Sequence, residues 1–382
     1  MNDGARRTGG LDPARDRVQR RYRWGRRSLY GLQHGAQRRE RAGDGYDGNG
    51  AGHAGSIYAA LDLGTNNCRL LVARPAGDGF QVIDAFSRII RLGEGISASG
   101  RLNDAAIERA VEALGICRDK MRNRGVTRAR LIATEACRAA ANGEEFRARV
   151  AREVGLELEV IDRETEAELA ASGCTPLIDP QAEGVILFDI GGGSSELVRL
   201  ARSVPVERGP PLPRIEAWAS LPVGVVSLAE RHGGHRVTRE VYEAMVAEVG
   251  VFVERFVAES GASGVERVHM LGTSGTVTTI AGVHLDLRRY ERRRVDGCWM
   301  SSEQVTGVIE RLLGMSYEER AASPCIGTER ADLVLAGCAI LEAIHRAFPC
   351  RRLRVADRGL REGMLVKMMR QDGIWGGVAA HA

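Results

Sequence analysis

Short apolar runs that end in glycine turns recur along this 382-residue chain. The run that begins at Ile57 reaches a turn at Gly64, and a second apolar run, 69–73, follows it. The run 185–188 leads in the same way through Asp189 and three glycines, Gly191–Gly193, into another apolar stretch. Apolar runs of this length between glycine turns are typical of buried strands. Each pair of runs therefore predicts two strands joined by a glycine turn.

Helical periodicity follows both pairs of strands. Apolar residues recur every three or four positions at 107–121 and again at 241–256, which predicts amphipathic helices. The order of elements thus occurs twice, with Asp62 and Asp189 at equivalent positions. This duplication predicts an α/β fold of two lobes with a cleft between them and the two glycine turns facing each other across it.

The composition changes sharply near residue 55. Residues 1–55 carry twelve arginines and six acids, lack apolar periodicity, and are expected to form a disordered tail. Such a tail could contact nucleic acid or anionic lipid, or it could be a dispensable extension. We assign residues 56–180 to an N-terminal lobe and residues 181–382 to a C-terminal lobe.

Charge and cysteine usage limit the function classes. The net charge of +4 arises in the tail, so the rest of the chain is close to neutral and no specific nucleic-acid partner is expected. The eight cysteines include no C-x-x-C pair, which is typical of a reducing compartment. No apolar run approaches the roughly 20 residues that span a bilayer, and the N-terminus lacks the apolar segment of a secretory signal. We therefore expect a cytoplasmic protein without a membrane partner.

The stretch DIGGGSSE, 189–196, carries the strongest chemical signal. Its glycines have no side chains, so several backbone N–H groups can point at one anion. Asp189 and Glu196 place carboxylates at the two ends of the turn, where a hydrated divalent cation could be held. The alternative is a glycine-rich hairpin turn with incidental acids.

Other kinds of site fit the sequence poorly. Both glycine turns run into strands instead of opening a helix, and neither contains the P-loop lysine, which excludes Rossmann and P-loop sites. His232 and His235 lack a third metal ligand. Ser274 lacks the G-x-S-x-G elbow, and Cys137 lacks a nearby histidine. A phosphate clamp built from strand, turn and strand is the remaining option.

Two charged residues between the glycine turns are further candidates. Arg138 lies where a predicted strand gives way to a helix and could bind phosphate bidentately, although an exposed helix arginine fits the same pattern. Glu166 is one of three acids in ETEAE, which is also the pattern of a solvated helix face.

Eight motifs resemble, in order, those of the exopolyphosphatase/guanosine-pentaphosphate phosphohydrolase (Ppx/GppA) family. They lie within about residues 57–370 and read LDLGTNNCRLLVA, TEACRAAAN, VIDRETEAELA, DIGGGSSELV, SLPVGVVSLAE, GTSGTVTTIAG, RADLVLAGCAIL and ADRGLREGM. The resemblance implies the fold of the actin and sugar-kinase superfamily, an α/β structure of two ribonuclease-H-like lobes with mixed sheets and an interlobe cleft.

The resemblance also implies roles for individual residues. Glu166 would be the catalytic glutamate that positions or deprotonates the attacking water, and Glu196 would be a second essential glutamate that acts on water or Mg²⁺. The implied ligands for Mg²⁺, or alternatively Mn²⁺, are Asp62, Asp189 and Glu196. The implied phosphate-binding residues are Gly64, Thr65, Asn66, Arg138, Gly191, Gly192, Gly193 and Ser194.

The sequence departs from the family pattern at three places. Asn67 stands where serine is usual, and Thr165 replaces a frequent acid just before Glu166. The chain also ends soon after LREGM, so we expect no C-terminal helical HD-type domain. Much of the basic channel that holds long polymers in the longer members belongs to that domain, which bears on processive action.

The sequence and the resemblance together predict an Mg²⁺-dependent exopolyphosphatase that removes the terminal phosphate of inorganic polyphosphate. The first alternative is the same hydrolysis of guanosine pentaphosphate (pppGpp). A sugar or acetate kinase is disfavoured because the matching motifs are the phosphatase set, and intact Glu166 and Glu196 argue against a non-enzymatic nucleotide sensor. The partners expected are the polyphosphate or pppGpp substrate and, as an open option, a second copy in a homodimer.

Overall fold

A computed structural model describes residues 25–26, 55–204, 206–261, 268–348 and 350–375. Most of the segment 1–55, predicted to be a disordered tail, lies outside the described residues. Within it, Gly25 and Arg26 form a two-residue strand, β1, which pairs antiparallel with Trp218 and Ala217 of the second sheet.

The first sheet has five strands in the order β4-β3-β2-β5-β6. The first three strands pair antiparallel, whereas β2 with β5 and β5 with β6 pair parallel. The strand bounds are β2 Tyr58–Leu63, β3 Asn67–Ala76, β4 Gly79–Ile89, β5 Arg128–Ala133 and β6 Glu159–Val160.

The second sheet repeats this arrangement, with the order β1-β9-β8-β7-β10-β12-β11. Strands β9, β8 and β7 are antiparallel, β7-β10-β12 are parallel, and β11 adds an antiparallel edge. The bounds are β7 Gly184–Ile190, β8 Ser195–Val204, β9 Leu212–Leu221, β10 Val268–Thr273, β11 Trp299–Ser301 and β12 Arg352–Ala356. The duplicated hairpins are confirmed, and the two sheets form the two ribonuclease-H-like lobes that the sequence predicted.

Helices cover both sheets. Those that follow the first three strands are α1 Ile96–Ser99, α2 Asp104–Asn123, α3 Glu135–Ala139, α4 Gly143–Val154 and α5 Arg163–Cys174, with a 3-10 turn at Thr175–Leu177. Those of the second half are α6 Val225–His232, α7 Arg239–Ser260, α8 Gly275–His284, α9 Arg292–Val295, α10 Ser302–Leu313, α11 Tyr317–Ala322, α12 Val334–Ala347 and α13 Leu360–Gln371. No helix of the described residues is long and apolar enough to cross a membrane.

Two helices tie the lobes together. The last helix, α13, packs back onto β2 and β3 of the first sheet, while α5 packs against β8 and β9 of the second. The two helices also contact each other at glycines: a Cβ on Gly363 would lie 1.9 Å from Leu169 O, and one on Gly173 would lie 2.0 Å from Gly359 O. Side chains larger than hydrogen at these positions would force the helices apart. The lobe boundary at 180/181 stays a prediction.

Candidate active site

The two glycine turns face each other across a cavity of about 880 Å³. A Cβ built on Gly192 would lie 2.9 Å from Thr65 Cβ, and one on Gly193 would lie 2.9 Å from Thr65 Oγ1. This arrangement confirms that the turn after β2 and the turn after β7 meet at the cleft. Glycine is required here because any side chain would enter the opposite turn.

In both turns, carbonyl oxygens accept hydrogen bonds from residues outside the turns, whereas several backbone amides donate no hydrogen bond. Asn66 O accepts from Ile90 N and Arg91 N, and Gly192 O accepts from Val226 N at 2.9 Å. By contrast, five amides of the two turns donate no hydrogen bond to a described residue: those of Thr65, Asn66, Gly192, Gly193 and Ser194. Backbone N–H groups gathered at one place form a site for an anion.

Carboxylates also line the cavity. Asp62 is the penultimate residue of β2 and pairs in register with Arg69, whereas Asp189 is the penultimate residue of β7 and pairs in register with Glu196. The same position of the two hairpins therefore carries an arginine in the first lobe and a glutamate in the second. Glu166, on α5, also lines the cavity.

Burial and mutual repulsion raise the pKa values of these carboxyl groups. Burial, followed by the charge of Asp189, raises the pKa of Glu196 to about 7, although Ser194 and Ser220 each donate a 2.9 Å hydrogen bond to it. Burial and then Glu196 raise the pKa of Glu166 well above its usual value, against the opposing charge of Arg138. Burial raises the pKa of Asp189 to about 6. A bound cation would therefore stabilise the ionised forms of these carboxyl groups.

This donor set fits Mg²⁺ that binds together with substrate. Carboxylate and amide oxygens suit a hard cation, and Asn66 Oδ1 and Asn67 Oδ1 are buried oxygens without a hydrogen-bond partner. Among the described residues, however, no three carboxylate, histidine or cysteine groups lie close enough to hold a metal by themselves. Mg²⁺ commonly uses one or two carboxylates, several waters and the substrate phosphates, so the remaining ligands would come from substrate.

Arg138 lies beside the cavity and binds carboxylates. Its Nη2 donates to Glu135 Oε2 at 2.6 Å and to Glu166 Oε2 at 3.2 Å, and its Nη1 donates to Ile161 O at 2.6 Å. Glu135 also accepts two hydrogen bonds from Arg163, at 2.8 and 3.0 Å. Arg138 is not among the residues that line the cavity, so the phosphate-binding role that the resemblance implies for it stays a prediction. The structure shows instead that Arg138 contacts Glu166, the predicted catalytic glutamate.

Sequence reasoning missed the arginines that line the cavity. Arg69 and Arg330 both approach the start of α8, within 3.7 and 3.8 Å of the position that a Cβ on Gly275 would take. Arg361, from α13, counteracts the effect of burial on the pKa of Asp62. None of these three arginines forms a hydrogen bond or ion pair with its side chain among the described residues. Each lies within one of the quoted motifs, but these motifs also contain arginines that are fully paired.

The structure brings the other predicted site residues together at the cavity, and their roles stay predictions. The cavity is lined by Asp62, Gly64, Thr65, Asn66, Glu166, Asp189, Gly191, Gly192, Gly193, Ser194 and Glu196. The Ser194 hydroxyl is engaged with Glu196, so its backbone amide is the part of Ser194 that faces an anion. The turn GTSGT, which begins one of the eight motifs, also lines the cavity through residues 273–276.

Comparisons with known proteins agree with this geometry. The model of the Ppx/GppA phosphatase family matches residues 71–372. The protein named exopolyphosphatase 2 from Mycobacterium tuberculosis is 28% identical over 332 residues, which cover 81% of this chain and 98% of that protein. The crystal structure of the Aquifex aeolicus Ppx/GppA member is 28% identical, with a TM-score of 0.67 over 86% of this chain and 99% of that one.

A further crystal structure supports the fold. An exopolyphosphatase from Cytophaga hutchinsonii is 22% identical and superposes with a TM-score of 0.72 over 82% of this chain and 98% of that chain. At this identity the likeness concerns the fold alone. Because the family model covers most of the chain, including the turn after β7, the chain belongs to the Ppx/GppA phosphatase family.

Proposed function

We propose that this protein is an exopolyphosphatase that removes the terminal phosphate from inorganic polyphosphate with Mg²⁺, or alternatively Mn²⁺. One observation carries the proposal: free backbone amides of two facing turns, unpaired arginines and a carboxylate cluster line the same cavity. A chain of phosphates needs positive groups along its length and, at the reacting end, a base for water. The M. tuberculosis relative carries the name exopolyphosphatase.

The terminal phosphates would lie between the turns. The amides of Thr65, Asn66, Gly192 and Gly193 would donate to phosphate oxygens, because no described residue accepts from them. Unpaired guanidinium groups such as Arg69 would neutralise the neighbouring phosphate. Fixed donors of this kind stabilise charge that develops in the transition state without rearranging.

Glu166 would act on the attacking water. Its carboxylate accepts the proton of the water as the water oxygen bonds to the terminal phosphorus and the bridging P–O bond breaks. The products are inorganic phosphate and a chain shorter by one phosphate. Arg138, 3.2 Å from Glu166 Oε2, favours the ionised form that can accept the proton. Mg²⁺ held by one or two of the carboxylates Asp62, Asp189 and Glu196 together with substrate oxygens would supply further charge neutralisation.

Guanosine pentaphosphate is a second candidate substrate. The cavity is also lined by Phe86 and Tyr290, aromatic surfaces on which a purine base could stack. A substrate that carries a base would use these side chains, whereas an unbranched phosphate chain would not. The two candidates require the same reaction at the terminal phosphate.

Phosphate release by the purified full chain tests the proposal. Long polyphosphate, tripolyphosphate and guanosine pentaphosphate would be assayed in parallel with Mg²⁺, with Mn²⁺ or with a chelator. We expect metal-dependent release from polyphosphate that is lost in the Glu166→Gln variant, which also controls for a contaminating phosphatase. Absence of release from polyphosphate of every length would overturn the proposal, and faster release from guanosine pentaphosphate would favour the second substrate.

We further propose that the protein acts in the cytoplasm. All eight cysteines are free, and Cys68 and Cys117 remain thiols although their sulfur atoms lie 3.9 Å apart in the core. Such usage suits a reducing compartment. Cell fractionation tests this point, and size-exclusion chromatography with light scattering tests whether the protein forms a homodimer.

A further inference from the structure

One segment that contributes two residues to the lining of the cavity is unusually rich in arginine. Between α8 and β11 the sequence reads RRYERRR, from Arg288 to Arg294. Two of its side chains line the cavity and fix the segment to its wall: Tyr290 donates to Asp357 Oδ2 at 2.7 Å, and Arg292 donates to Glu362 Oε1 at 2.9 Å. The segment therefore lies at the edge of the proposed substrate site.

The other four arginines of this segment are exposed and form no hydrogen bond or ion pair with their side chains among the described residues. We call them the arginine rim: Arg288, Arg289, Arg293 and Arg294. Exposed arginines elsewhere are commonly paired, as Arg88 is with Glu112. Glu291, the one acid of the segment, and Asp286, two residues before the segment begins, offset only part of the rim's charge.

We propose that the arginine rim binds the distal phosphates of a polyphosphate chain whose terminal phosphates occupy the cavity. The proposal rests on the proposed function and specifies its substrate as a polymer. Every rim residue lies within two positions of Tyr290 or Arg292, so a chain that leaves the cavity beside these side chains meets the rim next. Guanidinium groups bind phosphate oxygens bidentately, and four of them in one short segment suit a repeating anion.

The rim predicts a dependence on chain length. Tripolyphosphate would be held by the turns and cavity arginines without reaching the rim, whereas a long chain would contact both. Contacts between exposed charges are screened by salt, so the advantage of the long chain should shrink as ionic strength rises.

Binding to a protein that cannot hydrolyse the ligand tests the rim directly. In the full chain carrying Glu166→Gln, all four rim arginines would be changed to Gln. The matched control changes four exposed arginines that do not line the cavity and whose side chains form no hydrogen bond or ion pair among the described residues: Arg122, Arg202, Arg214 and Arg311. Competition against a labelled long polyphosphate measures affinity, and thermal melting confirms that each variant folds.

We expect the rim variant to bind long polyphosphate roughly tenfold more weakly than its parent, with the affinity for tripolyphosphate unchanged. The control variant should bind both ligands like the parent, and the difference should vanish near 1 M salt, where the screening length is about 3 Å. Unchanged affinity for the long chain, or equal losses for both ligands, would overturn the proposal. Equally tight, rim-dependent binding of single-stranded DNA would overturn the assignment to phosphate chains.

This experiment separates the two proposals. Binding is measured without turnover, so the rim is judged even if the wild-type protein releases no phosphate. In that case the phosphate assay contradicts the exopolyphosphatase proposal. The proposal for the rim is then decided by comparing the affinities of the rim and control variants for long polyphosphate.

Discussion

Arg138 Nη2 donates a 3.2 Å hydrogen bond to the Glu166 carboxylate, and the same nitrogen donates to Glu135 Oε2 at 2.6 Å. The Glu166 side chain is only 13% exposed, and Glu196 adds a second negative charge nearby. Arg138 is the main positive charge that opposes these effects on the pKa of Glu166. An arginine predicted to bind substrate thus contacts the proposed base.

Replacing Glu166 tests its role as the base. Glu166→Gln keeps the size of the side chain but cannot accept a proton, so kcat should fall by at least about 100-fold. Glu164→Gln is the matched control, since Glu164 lies in the same helical turn but is exposed and outside the cavity. Phosphate release under saturating polyphosphate measures both. A Glu166→Gln enzyme as fast as wild type would show that another residue activates the water.

Removing Arg138 should change the pH dependence of the reaction. Arg138 lowers the pKa of Glu166, so Arg138→Gln raises that pKa further, and the ionised base is then present only at higher pH. The acidic limb of kcat/KM should move to higher pH by about 1 unit. Arg163→Gln is the control, because Arg163 contacts Glu135 but not Glu166. An acidic limb that stays in place in Arg138→Gln would contradict this account.

The close approach of the two turns makes Gly192 sensitive to substitution. In Gly192→Ala the new methyl group would lie 2.9 Å from Thr65 Cβ and 3.2 Å from Asn66 N, so it would separate the turns and cover an amide proposed to bind phosphate. We expect kcat/KM to fall at least about tenfold. Gly115→Ala is the control, because nothing lies within 4 Å of its added methyl group. Near-normal activity of Gly192→Ala would mean that substrate does not use this amide.

The strand-and-turn part of this site could be predicted because its signals are local. Apolar runs interrupted by glycine define both hairpins, and the duplication of Asp62 by Asp189 places the two turns at equivalent ends of their sheets. Two similar lobes that pack together then bring these two turns to face each other. The carboxylates Asp189 and Glu196 were found because they flank the turn itself.

The arginines could not be predicted in the same way. Arg69, Arg330 and Arg361 come from three separate elements, and the chain has 54 lysines and arginines, so only tertiary packing distinguishes them. The partner of Arg138 likewise depends on distance in space, since Glu166 lies 28 residues further along the chain. The return of α13 to the first sheet is another long-range contact that helical periodicity does not encode.

The close contact between α5 and α13 should make the free energy of unfolding sensitive to the size of the side chain at position 363. Gly363→Ala would place a methyl group 1.9 Å from Leu169 O, which is backbone and cannot move without shifting α5. We expect the free energy of unfolding to fall by about 2–3 kcal/mol, as for overpacked cores. In the control, Gly307→Ala in α10, the added methyl meets nothing within 4 Å, and alanine should stabilise the helix by up to about 1 kcal/mol. Chemical denaturation measures both, and a stable Gly363→Ala protein would show that the helices can separate.

Mg²⁺ binding provides the last test, because it addresses the carboxylate cluster without relying on activity alone. Asp189 faces Glu196 across the β7–β8 pair, and burial raises its pKa to about 6, so a cation there would relieve repulsion between the two groups. Asp189→Asn removes one of the proposed ligands and should raise the half-saturating Mg²⁺ concentration at least about tenfold. Asp78→Asn, at an exposed position outside the cavity, is the control. Mg²⁺ titrations in the presence of tripolyphosphate would be followed both by phosphate release and by the rise in melting temperature. Equal Mg²⁺ dependence of the Asp189→Asn and wild-type proteins in both measurements would exclude Asp189 as a ligand, whereas a shift in both would support Asp189 as a ligand.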